Sequence, residues 1–185
     1  LELPLKVLFE SSDTNSLQDY IENSAVESIV KHIPIIKSNE DIPLSYAQEL
    51  FWFLPQLTGN EELFKMTLIL NIDGNLDFSV FEQSILKIIE RHKVLSTYYK
   101  IKDGVPFQKF HNASTWKLDY QEILNEEEIN SYLLKPFNLD YDWLIRFCVF
   151  NINKNRQKLV FCLHHTISDG TSLVQFMDEL IIIYN

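Results

Sequence analysis

The run Phe161-Cys-Leu-His-His-Thr-Ile-Ser-Asp-Gly170 ends an apolar stretch in two adjacent imidazoles, His164 and His165, and follows them with Asp169 and Gly170. Imidazole is the side chain that exchanges protons near neutral pH. Adjacent residues of a strand face opposite sides. One histidine is therefore expected to point inward as a structural group and the other outward into a cleft. Leu159, Phe161 and Leu163 share a face with His165, and Val160 and Cys162 share one with His164, so the strand is expected to be buried on both sides. No metal is expected, because adjacent histidines rarely reach one ion and a single further Asp leaves too few ligands. Two readings stay open on the local pattern. The pair are hydrogen-bonded core histidines, or one is a catalytic base at a strand end. In the second reading Asp169 sits in a structural salt bridge, and the Gly170 N–H, at the mouth of the next helix, stabilises a developing oxyanion.

The elements that must position these residues can be read from periodicity. A helix is expected from Ser45, limited by Pro55. "LFKMTLILNIDG" reads as a strand closed by an Asp73-Gly74 turn. Phe78, Phe81, Ile85, Ile88 and His92 form one helical stripe. "STYYKIKDGVPFQKFH" reads as a hairpin about Asp103-Gly104. "NEEEINSYLLKPF" is a short helix ended near Pro136, "WLIRFCVFNINKNRQKLVFCLHH" two strands about a polar turn, and "TSLVQFMDELIIIYN" a closing helix. The order is helix, strand, helix, hairpin, helix, two strands, helix. It predicts an α/β sandwich with a mixed sheet and helices on one face. Upstream, Asp13 or Thr14 is the expected N-cap of a short helix, and residues 31–43, with two prolines, read as a linker.

The 185 residues suffice for one domain with a substantial core, and 46% apolar content with 13 Phe, 8 Tyr and 3 Trp is globular. A net charge of −10 argues against nucleic-acid binding, which needs clustered Lys and Arg. No apolar run approaches a membrane span. Cys148 and Cys162 lie in apolar runs and are expected to be buried thiols. With no signal peptide, a cytoplasmic location is expected. The chain begins without Met and its closing helix has no stop signal, so a piece of something larger is expected.

Four segments then carry a resemblance in order. "HHTISDG" resembles the His-His-x-x-x-Asp-Gly signature of nonribosomal peptide synthetase condensation domains, whose fold is chloramphenicol acetyltransferase-like. Ser45, Ala47, Gln48 and Trp52 resemble that family's opening motif, and Arg91, His92, Leu95 and Thr97 its Arg-His-Glu-x-Leu-Arg-Thr-x-Phe motif. Pro136, Phe137, Leu139, Leu144 and Arg146 match its Pro-Phe-Asp-Leu-x-x-Gly-Pro-Leu-x-Arg stretch. The match covers a single N-terminal subdomain, residues 43–185. Residues 1–25 are similar to the end of a peptidyl carrier domain, with 26–42 as linker.

The resemblance implies amide-bond formation between a donor acyl or peptidyl thioester and an acceptor aminoacyl thioester. His165 would be the catalytic histidine, as base or positioner, with the Gly170 amide near the reacting carbonyl. His164 would be structural, and Asp169 would brace the loop by a salt bridge. The family's motifs carry arginines where this chain has Leu50 and Ser96, which leaves Arg91 and Arg146 as partners for Asp169. Arg146 is favoured, because its strand is expected to lie beside the signature strand. The implied partners are donor and acceptor carrier domains and the C-terminal half of the condensation domain, without which the chain is expected to be inactive. The carriers bear 4′-phosphopantetheine, so no cofactor is bound covalently here, and neither nucleic acid nor membrane is a partner. Two rivals are an acyl-CoA-dependent acyltransferase and a non-catalytic docking module.

Overall fold

The computed structural model describes residues 13–16, 18, 41–74, 76–123, 125, 127–153 and 156–185, with backbone alone for Glu61, Glu62, Asn153 and Arg156. The chain forms two compact units, Leu1–Ser38 and Asn39–Asn185. In the first, the Asp13 carboxylate accepts the Ser16 N–H at 2.8 Å, the N-cap geometry expected there. The carrier-like segment and most of the linker otherwise lie outside the described residues.

The second unit opens on a departure. Ile42 and Pro43, the end of the expected linker, form a short strand, β1 (Ile42–Pro43), paired antiparallel with β4 (Val105–Phe110). Helix α1 (Tyr46–Thr58) begins with a capping box: Gln48 N–H donates to Ser45 Oγ, and Ser45 N–H donates to Gln48 Oε1. Pro55 does not end this helix, as expected, but lies inside it. So near the C-terminus a proline removes only one intrahelical bond. The stop is Gly59, in the left-handed region at φ 66°, where glycine carries no steric penalty.

β2 (Lys65–Ile72) leads to α2 (Phe78–Arg91), capped by the Asp77 side chain and buried along Phe81, Ile85, Ile88 and Ile89. β3 (Thr97–Lys102) and β4 turn at Asp103-Gly104, whose φ values of 51° and 80° suit a tight hairpin. β5 (Asp119–Glu122) precedes α3 (Glu127–Leu134). β6 (Ile145–Asn153) and β7 (Arg156–His164) form the antiparallel pair that leads to α4 (Gly170–Tyr184).

The strands form two sheets, β1-β4-β3 and β2-β7-β6-β5. The larger is mixed, as expected, because β5 runs parallel to β6. Sequence reading missed β5: all of its residues are exposed, so it carries no alternation to detect. Leu159 to Leu163 are all buried, so β7 is covered on both faces. Leu159, Phe161 and Leu163 belong to the main core with Phe81, Ile88 and Phe176. Val160 joins a smaller cluster with Ile129 and Tyr132 of α3. This amends the one-face expectation: α2 and α4 pack on the main core, and α3 covers the other side.

Candidate active site

The last residue of β7 and the next one bond in opposite directions. The His164 N–H donates to Leu144 O at 2.9 Å, and the His165 N–H donates to Phe64 O at 2.8 Å. The side chains diverge accordingly. His164 is 3% exposed. Its Nδ1 accepts the Thr166 N–H at 3.2 Å and lies 2.9 Å from Thr166 Oγ1. An accepting Nδ1 assigns the proton of the neutral ring to Nε2. Burial pushes the His164 pKa down to about 4, with smaller contributions from His165 and Lys65. The ring meets Phe137 edge-on and lines a cleft of about 300 Å³ with Trp52, Gln56 and Asp140.

His165 is half-buried and lines a different, more open cleft of about 340 Å³. Ser45, Gln48, Gln108, Ile167, Asp169 and Ser172 share that lining. The imidazole stacks on Phe51 with centroids 4.5 Å apart and planes 9° apart. Its Nδ1 is buried with no hydrogen-bond partner among the described residues, which leaves Nε2 to the cleft.

Gln48 ties the start of α1 to the wall of this cleft. Its Nε2 donates to Gln108 Oε1 at 3.1 Å, and its carbonyl completes the capping box. The Tyr99 hydroxyl donates to Thr166 O at 3.4 Å, and burial pushes its pKa up to about 12. The histidine loop is thus fixed from the small sheet as well as from β7.

Among the described residues neither Arg146 nor Arg91 pairs with Asp169, and the physical reason is local. Asp169 is exposed and serves as the N-cap of α4. Its carboxylate accepts the Ser172 N–H at 2.7 Å and the Ser172 hydroxyl at 2.6 Å. The Ser172 bonds hold its pKa below the usual carboxylate value. Arg146 does lie on the strand beside β7, as expected, but opposite Cys162, and its guanidinium goes elsewhere. It stacks 3.9 Å from the Phe137 ring centroid and donates to Lys135 O. With Lys65 Nζ on Leu133 O and Leu134 O, it neutralises the carbonyl end of α3. Arg91 is 68% exposed and lies 3.8 Å from Glu179, which also meets His92 Nε2 at 3.0 Å. Leu50 points to the surface, and Ser96 is buried with its hydroxyl on Lys93 O.

Gly170 opens α4, so its N–H is one that helix geometry leaves without an intrahelical acceptor. A Cβ built there meets no atom within 4 Å, and its φ is not in the left-handed region. Neither packing nor backbone conformation within the described residues demands glycine. Both cysteines are buried, and burial raises their thiol pKa values. Among the described residues no cluster of His, Cys, Asp or Glu could hold a metal ion, and no helix is long and apolar enough to cross a membrane.

Sequence reading missed Phe51 and Thr166. Phe51 follows Ala47 and Gln48 at helical spacing, so its cleft-facing side was legible. Thr166 stands two residues beyond His164, within reach of a local side-chain bond.

The family profile described as "Condensation domain" matches residues 38–185. Gramicidin S synthase 2 of Brevibacillus brevis is 34% identical over 182 residues, covering 97% of this chain and 4% of that protein. Bacitracin synthase 3 of Bacillus licheniformis is 33% identical over 187 residues, covering 100% of this chain and 3% of that protein. The chain therefore spans a small fraction of these relatives. Among solved structures, the starter condensation domain of rhizomide synthetase aligns with TM-score 0.68 at 17% identity, covering 78% of this chain and 37% of that one. The first condensation domain of the CDA synthetase gives 0.66 at 20%, covering 80% and 40%. These likenesses bear on the fold.

Proposed function

The chain belongs to the condensation-domain family, and from that premise we propose that it forms part of a site joining a donor acyl or peptidyl thioester to an acceptor aminoacyl thioester. The observation that carries the reading is the split between the two histidines. His164 is buried, hydrogen-bonded and held neutral, while His165 is only partly buried, has no side-chain hydrogen bond among the described residues and lines the more open cleft.

In this reading the acceptor's α-amine attacks the donor carbonyl. A C–N bond forms, the C–S bond breaks, and the departing sulfur takes up a proton. A free α-amine titrates near about 8, so much of it is already neutral at working pH. His165 need only orient the amine or take the proton released as the new bond forms. The Gly170 N–H, with no Cβ beside it, meets the charge developing on the carbonyl oxygen. Asp169 acts indirectly by capping α4 and fixing where Gly170 begins the helix. His164 supports the loop through Thr166.

Phosphopantetheine on partner carrier domains would supply the thioester linkage. The His165 cleft is the place proposed for such an arm, since it lies beside His165 and the start of α4 and is lined by the polar residues Ser45, Gln48, Gln108 and Ser172. The chain covers 37% of a solved condensation domain, so the remaining part of that domain is the proposed partner that completes the site. The carrier reading of residues 1–25 is supported by the relatives. Their similarity extends over 97% of the chain, whereas the condensation profile begins at residue 38.

The test is amide formation, followed by mass spectrometry, with donor and acceptor carriers loaded with thioesters. The domain assembled with its second half should make the amide and this chain alone should not. Product from soluble acyl-CoA but not from loaded carriers would replace the reading with the free-acyltransferase one. No product from either would leave a docking module.

A further inference from the structure

An active-site imidazole is ordinarily aimed through Nδ1, where a carboxylate or carbonyl takes its N–H and fixes the ring. His165 has no such partner among the described residues, and its Nδ1 is buried. Asp169, the carboxylate nearest in sequence, is engaged with Ser172. The ring is held another way. Phe51 lies flat against it, 4.5 Å between centroids and 9° between planes. Phe51 is in turn met edge-on by Phe64, at 6.2 Å and 65°. Phe64 is 8% exposed, and its carbonyl accepts the His165 N–H at 2.8 Å. One buried residue therefore holds the main chain of His165 through its carbonyl. It also holds the side chain through the Phe51 ring set between them.

We propose that Phe51 is a positioning residue for the proposed reaction: its stacked ring, in place of an Nδ1 hydrogen bond, fixes the plane of the His165 imidazole. Flat stacking penalises rotation about the Cβ–Cγ bond, because a quarter-turn would drive the imidazole edge into the Phe51 face. A half-turn exchanges Nδ1 with Cδ2 and keeps the stack, and it still leaves one nitrogen on the cleft side. The ring plane is thus the quantity Phe51 sets, and a reacting nitrogen in the cleft is the consequence. The aromatic face also excludes water from one side of the imidazole. An aliphatic side chain of similar size would fill the space without offering a flat surface. The inference deepens the proposed function and rests on it for its catalytic meaning.

The experiment compares Phe51→Leu, Phe51→Tyr and the unaltered protein in the full synthetase, well below the melting temperature. Phe51→Leu should lower kcat for amide formation roughly tenfold, as expected for a small misplacement of a reacting group, with KM for both loaded carriers unchanged. Phe51→Tyr, which keeps the face, should restore kcat. Full kcat in Phe51→Leu, or a Tyr variant no better than Leu, overturns the positioning role while leaving the proposed function standing. An unaltered enzyme that makes no amide overturns the proposed function instead. The positioning claim is then decided by crystallography of Phe51→Leu. An imidazole spread over several planes supports it, and one ordered in the original plane overturns it.

Discussion

His164 and His165 are neighbours in sequence and belong to different parts of the molecule. The first donates its main-chain N–H toward the β6 side and keeps its ring buried against both Thr166 groups. The second donates toward the β2 side and lays its ring between Phe51 and a cleft. The strand pleat does the sorting, since one residue step reverses the face. In the buried setting the proton is disfavoured and the ring becomes a fixed hydrogen-bond piece. In the cleft one nitrogen stays reachable by a substrate. Two identical side chains thus meet opposite environments one residue apart.

The strongest way to break this comparison is to remove each ring in turn. His165→Ala in the assembled domain should lower the rate of amide formation by about 10²- to 10⁴-fold, the usual worth of a proton-transfer group. Its melting temperature should change little, because the residue is not fully buried and its side chain makes no hydrogen bond among the described residues. Rapid-quench mass spectrometry beside a thermal melt checks both halves. Full activity in this variant would remove His165 from the chemistry.

His164→Ala should act the other way. It leaves the buried Thr166 N–H without its acceptor, at a cost of roughly 1 to 3 kcal/mol in stability. His164→Asn, which places an oxygen near the lost Nδ1, should recover part of it. The pH dependence has a definite sign. The folded pKa, about 4, lies below the ordinary 6.5, so the unfolded chain binds the proton first. Stability is full above about pH 6.5 and falls as pH drops toward about 4, by up to roughly 3 kcal/mol, then levels. Urea unfolding across that window should show the slope in the parent and lose it in His164→Asn. A slope of equal size in both would place the titration elsewhere.

Much of this was legible before any coordinates. The opposite facing of the histidines followed from the pleat, and the doubly buried strand from Leu159 to Leu163 being apolar on both faces. The helices with strong 3.6-residue stripes, α2 and α4, were clear for the same reason. What escaped was set by partners distant in sequence. β5 is recognisable only by its pairing with β6, and β1 only by Gln108 and Phe107 across from it. The Arg146–Asp169 pair was a plausible charge match in one dimension. Sequence alone could not show that the α3 carbonyl end and the Phe137 ring lie nearer to Arg146.

A smaller effect sharpens the role of the loop. Gly170→Ala should leave the melting temperature unchanged or slightly higher. The added Cβ meets nothing within 4 Å, and alanine favours the helix. If a substrate carbonyl approaches the N–H at this helix mouth, the same methyl should slow amide formation severalfold or more. A variant with parental rate would show that the glycine serves neither packing nor approach.

The smallest expected effect concerns Asp169, and it separates a cap from a salt bridge. Its carboxylate takes both the N–H and the hydroxyl of Ser172 and faces solvent, so Asp169→Ala should lower the melting temperature only modestly, as loss of an exposed N-cap does. Asp169→Asn should be nearly silent at neutral pH, because an amide oxygen caps a helix as well as a carboxylate does. The bonds from Ser172 hold the Asp169 pKa below its ordinary value. Its contribution is therefore present above about pH 4 and lost as pH falls through the depressed value, a dependence the Asn variant should not share. Combining Asp169→Ala with Arg146→Met should give additive changes in stability, since Arg146 is committed to Lys135 O and Phe137. Strong coupling in that cycle would restore the salt bridge. The loop beyond His165 would then be braced across the strands rather than from within the first turn of α4.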